Sequence, residues 1–259
     1  MMDDSNSVQT NYDEQAKSYS QFVTTPLGTL EKDLFELCIK DCDGLKVLDL
    51  GGGTGLRARD ALRAGAASVD VIDISPEMMR HGQEYEKSIG RDRITWHQAD
   101  VSKPLDHLNL GGDSGQPPYD MVIANGIFEH AHSIDEYDAM WRSAAAYLKP
   151  GGRLVSNRNV PWSEAARAGK YGVIFDNYDG DLFRGISFRY RALTDPPLVF
   201  QSTALEAHYS GSFEIPGQYF EDFRTVPFEE TPVVQAHRGF WREYLESPIL
   251  YIFTARKKA

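Results

Sequence analysis

The sequence predicts an α/β fold in which helices cover a mostly parallel β-sheet. Three observations support this prediction: an apolar strand enters a glycine-rich turn at residues 47–55, a helical pattern begins directly after it at Leu56, and short apolar strands recur as far as residue 156. A strand, a glycine-rich turn and a helix in this order form the start of a nucleotide-binding α/β unit. The chain has 259 residues, of which 41% are hydrophobic and 25% charged, so it can bury a packed core around such a sheet.

The first strand and its turn read Val-Leu-Asp-Leu-Gly-Gly-Gly-Thr-Gly. Glycines at such a turn permit positive φ angles and let a ligand approach the bare backbone. The free N–H groups of the following helix suit an anionic group. The dinucleotide pattern G-x-G-x-x-G does not fit, because Leu56 stands where the frame from Gly51 needs its third glycine. The pattern that fits is D-x-G-x-G-x-G, formed by Asp49, Gly51, Gly53 and Gly55.

This pattern resembles the first motif of the class I S-adenosylmethionine (SAM) methyltransferases. The alternative is a tight strand-to-helix turn that binds no ligand, since a single glycine motif carries a risk of false matches. The strands that follow favour the first interpretation.

The second apolar strand covers residues 67–74, with Asp73 at its end. Asp73 follows Asp49 within the ~30 residues of a βαβ unit. A carboxylate in this place can accept hydrogen bonds from both hydroxyls of a ribose. Residues 75–77, Ser-Pro-Glu, then predict a helix start, with the serine as N-cap and the proline at the first helical position.

Three further strands complete the predicted core. Residues 94–100 end in Asp100, which resembles the family acid that binds the adenine amino group. Residues 119–125 form the fourth strand, and residues 152–156 follow a Leu-Lys-Pro-Gly turn as the fifth. Both match the family in form, so the resemblance is specific over residues 44–160.

The resemblance implies a three-layer, Rossmann-like class I methyltransferase fold, with a mostly parallel seven-stranded sheet, an antiparallel last strand and a substrate cap. It also implies SAM as cofactor and S-adenosyl-L-homocysteine as its product. Asp73 would bind the ribose, Asp100 the adenine, and Asp49 would face the amino-acid end. Ile74 would pack on the adenine ring. The full set of implied cofactor-binding residues is Tyr12, Tyr19, Asp49, Gly51, Gly53, Asp73, Ile74, Met78, Asp100, Val101 and Asn125.

Residues 1–43 are predicted to form a helical lid in front of the core. Tyr12 and Tyr19 belong to a pattern that resembles the N-terminal lid of small-molecule methyltransferases, where aromatic faces suit a cationic sulfonium. The alternative is an amphipathic helix whose tyrosines pack on the core, which periodicity cannot distinguish. Cys38 and Cys42 are expected to be buried free thiols, since positions four apart on a helix suit a disulfide poorly.

Residues 161–212 are predicted to form an inserted cap rich in aromatic residues. Two β-rich arms, 186–193 and 198–209, flank a Thr-Asp-Pro-Pro turn and indicate a hairpin. An insertion here would lie over the carboxyl ends of the strands, where ligands bind in open α/β sheets. The alternative is a minor aromatic core that only stabilises the domain. The candidate substrate-binding residues are Trp162, Tyr171, Tyr190 and His208.

Residues 213–259 are predicted to finish the sheet with two helices and two strands. The expected bounds are 218–222 and 239–246 for the helices, and 223–228 and 249–255 for the strands. The segment 239–248 resembles the end of ubiquinone-biosynthesis-type and toxoflavin-synthase-like small-molecule methyltransferases. Residues 1–259 are therefore interpreted as a single methyltransferase domain.

Glu129 and His130, just after the fourth strand, are the candidate catalytic residues. An acceptor of high pKa needs a general base, whereas an enolate or a thiolate does not. The family often carries an acid and a histidine here, so a structural or backbone role for the pair is an open alternative. No metal site is expected at His130 and His132, because no third ligand is evident.

The net charge of −11 and the scattered basic residues argue against a nucleic-acid partner. No apolar run approaches the ~18 residues of a membrane span, and the polar, acidic N-terminal residues are unlike a signal peptide. We therefore expect a cytoplasmic monomer or homodimer without a membrane partner. The predicted function is SAM-dependent methyl transfer to a small aromatic or heterocyclic metabolite, in secondary metabolism. The alternatives are a SAM-binding regulatory or chaperone-like protein without methyl transfer, and a nicotinamide-dependent oxidoreductase, which the glycine frame disfavours.

Overall fold

The computed structural model describes residues 10, 21–108, 110, 118–180 and 185–259. In these ranges the strands are β1 Lys46–Leu50, β2 Ser68–Asp73, β3 Ile94–Gln98, β4 Tyr119–Ala124, β5 Leu148–Asn159, β6 Val173–Asp179, β7 Ile186–Ala192, β8 Leu198–Ala204, β9 Phe220–Thr225 and β10 Leu250–Lys257. The α-helices are α1 Pro26–Ile39, α2 Leu56–Arg63, α3 Pro76–Ser88, α4 Ile134–Ala146, α5 Glu164–Ala168, α6 Glu206–Tyr209, α7 Pro216–Tyr219, α8 Pro232–Ala236 and α9 Arg238–Glu246.

Seven of these strands form one sheet in the order β3-β2-β1-β4-β5-β10-β9. The pairs from β3 to β5 are parallel, and β10 is antiparallel to both of its neighbours. The order reverses between β1 and β4, and such a reversal leaves a crevice at the carboxyl ends of the strands. The predicted mostly parallel seven-stranded sheet with an antiparallel last strand is confirmed.

Side-chain caps begin the helices that surround this sheet. The Ser75 hydroxyl accepts a hydrogen bond from Met78 N at 3.1 Å, with a proline at the first helical position, as the sequence predicts. Ser133 caps α4 in the same way through Glu136 N at 3.2 Å. The helix α2 differs, because Gly55 precedes it in a left-handed conformation without a side-chain cap.

Successive residues of the central strands point to opposite faces of the sheet, and both faces are buried. Val47 and Met121 join an apolar cluster with α1, whereas Leu48 and Val122 join a second cluster with α4. Cys38 and Cys42 are buried free thiols, as expected. Because both faces of β1 and β4 are covered, a ligand can reach these two strands only at their ends.

A separate antiparallel sheet in the order β6-β7-β8 lies within the range predicted for the cap. The expected hairpin is the β7–β8 pair, while β6 was not predicted as a strand. The second arm was predicted to continue to residue 209, but β8 ends at Ala204 and α6 follows. The Leu205 carbonyl accepts hydrogen bonds from His208 N at 2.9 Å and Tyr209 N at 3.1 Å, which closes a helical turn instead.

The prediction of a helix at 218–222 was wrong in its bounds. The helical turn α7 ends at Tyr219, and strand β9 begins three residues before the predicted position. Phe220 and Phe223 are three positions apart in the sequence, a spacing that is typical of one face of a helix. The strand accommodates this spacing because Asp222 has a φ of 56° and the β9–β10 register shifts between Thr254 and Arg256, as in a β-bulge.

No helix in the described ranges is long and apolar enough to cross a membrane. Among the same residues, no group of three or more His, Cys, Asp or Glu side chains is arranged to hold a metal ion.

Candidate functional site

A large cleft opens where the carboxyl ends of the parallel strands meet the three-stranded sheet. Its empty volume is about 1350 Å³, part of which is open to solvent. Eight of the predicted cofactor-binding residues line it, namely Gly51, Gly53, Asp73, Ile74, Met78, Asp100, Val101 and Asn125.

The glycine-rich turn forms one wall of the cleft and is tightly packed. Gly51 and Gly53 have φ angles of 67° and 54°, a region that favours glycine. A Cβ atom on Gly51 would lie 2.1 Å from Ile127 Cγ2, and one on Gly53 would lie 3.0 Å from Met78 Cε. The sequence therefore needs glycine at both positions to keep this wall in place.

Asp73 connects the ends of the first two strands at the floor of the cleft. Its Oδ2 accepts a hydrogen bond from Gly53 N at 2.7 Å, and its Oδ1 accepts one from Ser75 N at 2.8 Å. Asp73 also lines the cleft, and a carboxylate can accept hydrogen bonds at about four lone-pair sites. The backbone thus orients this carboxylate for hydroxyl donors.

Asp100 is held in a similar way at the end of β3. Its Oδ1 accepts hydrogen bonds from Ser102 N at 2.9 Å and from Ser102 Oγ at 2.7 Å. Ile74, Met78 and Val101 supply apolar surface beside it. A flat ring with an amino group fits such a combination of an apolar slot and an oriented acid.

The opposite end of the cleft contains a buried polar network, of which the sequence analysis predicted only Asn125. Asn125 Nδ2 donates to Glu31 Oε1 at 2.9 Å, and Arg57 donates to the same oxygen at 2.7 Å. Arg57 also donates to Asp60 at 2.9 Å. Asn125 Oδ1 is buried and has no hydrogen-bond partner among the described residues. Glu31 interrupts the apolar stripe of α1 beside Leu27, and this was the signal available in the sequence.

Asp49 was predicted to face the cofactor, but its side chain does not line the cleft. It is 1% exposed and lies behind the turn, where a Cβ on Gly52 would come within 2.7 Å of its Oδ2. That oxygen has no hydrogen-bond partner among the described residues. Burial raises the pKa of Asp49 to about 7, although the Arg57 guanidinium opposes the shift. Asp49 therefore supports the turn from below.

The candidate catalytic pair lies in a 3₁₀ turn, Phe128–His130, after β4. Glu129 Oε2 accepts a hydrogen bond from Asn159 Nδ2 at 2.8 Å. Burial raises the pKa of Glu129 to about 7, with the charge of Glu31 acting in the same direction. Burial lowers the pKa of His130 to about 4, with His132 adding to the effect. Near neutral pH, Glu129 can therefore exchange a proton, whereas His130 is a neutral imidazole.

Two asparagines at the end of β5 complete this side of the cleft. Asn159 orients Glu129, and Asn157 Oδ1 accepts a hydrogen bond from Gly126 N at 2.6 Å. Neither residue was predicted. Asn157 and Asn159 are two positions apart at the carboxyl end of a strand that is parallel to β4, so their side chains lie on the same face. Ligand-binding residues gather at this end of a parallel sheet, and this position in the sequence could have indicated both asparagines.

The three-stranded sheet provides the remaining wall. Tyr190, Leu198, Phe200 and Ser202 line the cleft, and the Tyr190 ring lies 6.4 Å from that of Phe22. Tyr190 is thus located at the cleft, as predicted for a substrate-binding residue.

The other three predicted substrate-binding residues lie elsewhere. Tyr171 is fully buried, donates to the Phe240 carbonyl at 3.1 Å and stacks on Trp241 at 5.1 Å. Trp162 packs against Tyr178. His208 is buried beside a second cavity. None of these three residues lines the cleft, because an aromatic sequence does not specify which rings pack inward. Tyr12 and Tyr19 lie outside the described residues.

The cleft is lined by acidic side chains. Its lining includes five carboxyl side chains, Glu31, Asp73, Asp100, Glu129 and Glu136, and no lysine or arginine among the described residues. Such a lining favours a ligand with hydroxyl groups and positive charge, and disfavours a phosphorylated ligand.

Comparison with known proteins agrees with this arrangement. Residues 48–154 match the family described as a methyltransferase domain. The demethylmenaquinone methyltransferase of Tropheryma whipplei (strain Twist) is 33% identical over 112 residues, 43% of this chain and 41% of that protein. The tRNA U34 carboxymethyltransferase of Chromohalobacter salexigens is 28% identical over 206 residues, 78% of this chain and 52% of that protein. The chain therefore matches about two fifths to a half of the length of these relatives.

Among solved structures, an S-adenosylmethionine-dependent methyltransferase from Mesorhizobium loti has a TM-score of 0.54 at 16% identity, covering 86% of this chain and 95% of that one. This likeness shows a shared fold. Together with the family match it confirms the predicted resemblance to class I methyltransferases.

Proposed function

We propose that this chain, whose residues 48–154 form a class I methyltransferase domain, transfers a methyl group from SAM to a small molecule. The observation that carries the proposal is the single continuous cleft. It joins the family's cofactor positions, such as Asp73 and Asp100, to an aromatic wall from the cap at Tyr190 and Phe200.

The residues of the cleft floor fit SAM. Asp73 offers acceptors for the ribose hydroxyls, and Asp100 with its apolar neighbours fits an adenine. Asn125 Oδ1, buried without a partner among the described residues, is an acceptor for a donor such as an α-ammonium group. The acidic lining compensates the positive charges of SAM, whereas the pyrophosphate of a nicotinamide dinucleotide would be repelled.

SAM, when bound, supplies a methyl group on a sulfonium, which an acceptor attacks in line. The contribution of the chain is then alignment and exclusion of water. Leu198 and Phe200 cover the cleft from the cap, and Phe22 closes it from the side of α1. These apolar walls would hold the acceptor against the cofactor floor.

We propose Glu129 as the general base for an acceptor that must lose a proton. Asn159 fixes one carboxylate oxygen at 2.8 Å, which leaves the other to face the acceptor. A pKa of about 7 suits a base that works near neutral pH. His130 is a weaker candidate, since a pKa of about 4 makes it a poor proton acceptor.

The acceptor class we favour is a small aromatic or heterocyclic molecule, as in secondary metabolism. The aromatic rings of Phe22, Tyr190 and Phe200 suit a flat ring. The net charge of −11 and the acidic cleft argue against an RNA substrate, although one relative is a tRNA-modifying enzyme by name.

A turnover assay tests this function. The chain is incubated with SAM and a panel of phenols, amines and thiols, and with tRNA, and S-adenosyl-L-homocysteine is measured. We expect product with at least one small acceptor and none with tRNA. Product with tRNA alone would contradict the acceptor class. Tight SAM binding without turnover on any acceptor would support the regulatory alternative.

Glu129→Gln provides the test of the base. With an acidic acceptor such as a phenol, kcat/KM of the wild type should rise with pH and level off above a pKa of about 7, because only ionised Glu129 accepts a proton. Glu129→Gln should lose this rise and reduce the rate by roughly 10²–10⁴. His132→Gln, which alters a cleft residue outside the proposed base, should keep the pH profile. An unchanged profile in Glu129→Gln would exclude Glu129 as the base.

A further inference from the structure

A second cavity lies on the face of the sheet covered by α4, and none of the described residues lines both this cavity and the cleft. Its empty volume is about 530 Å³, part of it open to solvent. Its walls come from α4, α6, residues 211–216 and the strands β5, β9 and β10. Asn157 and Asn159 of β5 line the cleft, whereas Arg158 between them points to the other side and lines the second cavity.

Arg158 is a partly buried cation without an acidic partner. It makes no ion pair or hydrogen bond with any described residue, and its Nε is buried without an acceptor. Among the described residues, Arg158 makes a cation–π contact with Tyr251: the Arg158 Cζ atom lies 5.4 Å from the centroid of the Tyr251 ring. Burial lowers the pKa of Arg158. A desolvated guanidinium of this kind is costly unless an anion pairs with it.

Local packing keeps this guanidinium in place and uncovered. A Cβ on Gly211 would lie 1.6 Å from Arg158 Nη1, so the absence of a side chain there makes room for the charged group. The described lining of the cavity includes no carboxylate. Its other arginine, Arg224, is already paired with Asp222 at 2.9 Å. His208 adds no charge, since burial lowers its pKa to about 3.

The rest of the wall is aromatic. The rings are those of Tyr137, Trp141, Phe213, Phe223, Tyr251 and Phe253. The ring centroids of Phe213 and Phe223 lie 4.6 Å apart. Phe213 is 59% exposed, so part of this apolar surface is open to a ligand. Aromatic pairs stack or meet edge to face at such separations.

We propose that the second cavity binds a small aromatic carboxylate, whose carboxylate pairs with the Arg158 guanidinium while its ring packs against the aromatic wall. Planar carboxylates match the guanidinium fork in a bidentate manner. Among the described residues, the lining combines an unpaired cation with several rings and includes no acid, which selects an anion that also carries a ring. This proposal does not depend on methyl transfer, since it concerns residues outside the cleft.

Calorimetric titration of the full chain with benzoate, phenylacetate and cinnamate tests this site. We expect at least one of the three acids to bind, and the neutral isostere of that acid, such as benzamide for benzoate, to bind at least tenfold more weakly. Arg158→Met should weaken binding of the acid at least tenfold. Arg224→Met, which alters the paired arginine at the same cavity, should change it less than threefold, and Asp73→Asn in the cleft should not change it.

The unfolding temperature of Arg158→Met shows whether this variant folds. Removal of a buried, unpaired charge should leave the unfolding temperature of Arg158→Met equal to or above that of the wild type. The comparison of benzoate with benzamide on the wild type needs no variant, so it remains decisive if Arg158→Met fails to fold. The proposal is overturned if none of the acids binds below about 10 mM, a very weak affinity. It is equally overturned if the acid and its amide bind alike, or if Arg158→Met binds the acid normally.

Discussion

At the scale of the residue, the Asp73 carboxylate binds two different backbone segments at the edge of the cleft. It holds the glycine turn through Gly53 N and the start of α3 through Ser75 N. The same residue lines the cleft, where the ribose of SAM is proposed to bind. The position of Asp73 is therefore determined by backbone donors before any ligand arrives.

We predict that Asp73→Asn weakens SAM binding by about 1–3 kcal/mol, the scale of hydrogen bonds to a charged group. Calorimetry measures the effect. Asp70→Asn is a matched control, since Asp70 lies on the same strand but pairs with His97 at 2.9 Å, away from the cleft. Equal SAM affinity in Asp73→Asn and the wild type would remove Asp73 from the ribose site.

Asp49 gives a prediction about stability. Its pKa of about 7 in the folded chain is above its value of 3.8 in a model compound. The folded state therefore binds more protons between these values, and its stability falls as the pH rises through this window. Between pH 5 and 8, this one carboxyl should cost about 3 kcal/mol of unfolding free energy.

Urea unfolding at both pH values tests this prediction. Asp49→Asn should lose less stability than the wild type when the pH is raised from 5 to 8. Asp33→Asn, which removes a partly buried acid of α1, is the control and should follow the wild type. A parallel pH dependence of Asp49→Asn and the wild type would show that Asp49 does not titrate in this window.

Single residues also show what the sequence could predict about the site. Gly51 and Asp73 were predicted because each lies at the carboxyl end of a strand whose apolar pattern is visible in the sequence, and Asn125 was predicted because the family resemblance implies it. Glu31 was missed because it reaches Asn125 from a helix 94 positions earlier in the chain. Tyr171 was misplaced because its burial depends on Trp241, which only the folded chain brings near it.

At the scale of the element, the glycine turn and the three-stranded sheet form opposite walls of the cleft. The turn was predictable in detail, since its motif fixes both the strand before it and the helix after it. The cap was predictable only as a hairpin, because β6 pairs with β7 through contacts that a local pattern does not encode. The strand β9 was displaced from its predicted position by a bulge at Asp222.

We predict that Gly51→Ala disrupts SAM binding by at least tenfold. Its Cβ would collide with Ile127 at 2.1 Å and shift a wall of the cleft. Gly90→Ala is a matched control, because Gly90 has a φ of 65° but no atom within 4 Å of the added Cβ. Both variants should lose about 1 kcal/mol of stability from backbone strain, and only Gly51→Ala should lose affinity. Normal SAM binding by Gly51→Ala would show that this turn is only structural.

At the scale of the whole molecule, the sheet separates two cavities of opposite electrostatic character. The cleft at the strand ends is lined by acids, whereas the second cavity on one face contains Arg158, which has no ion-pair partner among the described residues. Alternation along β5 produces this separation, since Asn157 and Asn159 face the cleft and Arg158 faces away. The strand order could be expected from the family resemblance, but the charge of each cavity could not, because it depends on side chains from distant elements.

Side-by-side calorimetry of the wild-type chain with SAM and with NAD⁺ tests most directly whether the acidic cleft is a SAM site. We predict saturable binding of SAM at a stoichiometry of about one, as for a single-site cofactor, and no binding of NAD⁺ under the same conditions, because the acidic lining would repel its pyrophosphate. Tight binding of NAD⁺ without binding of SAM would contradict the account.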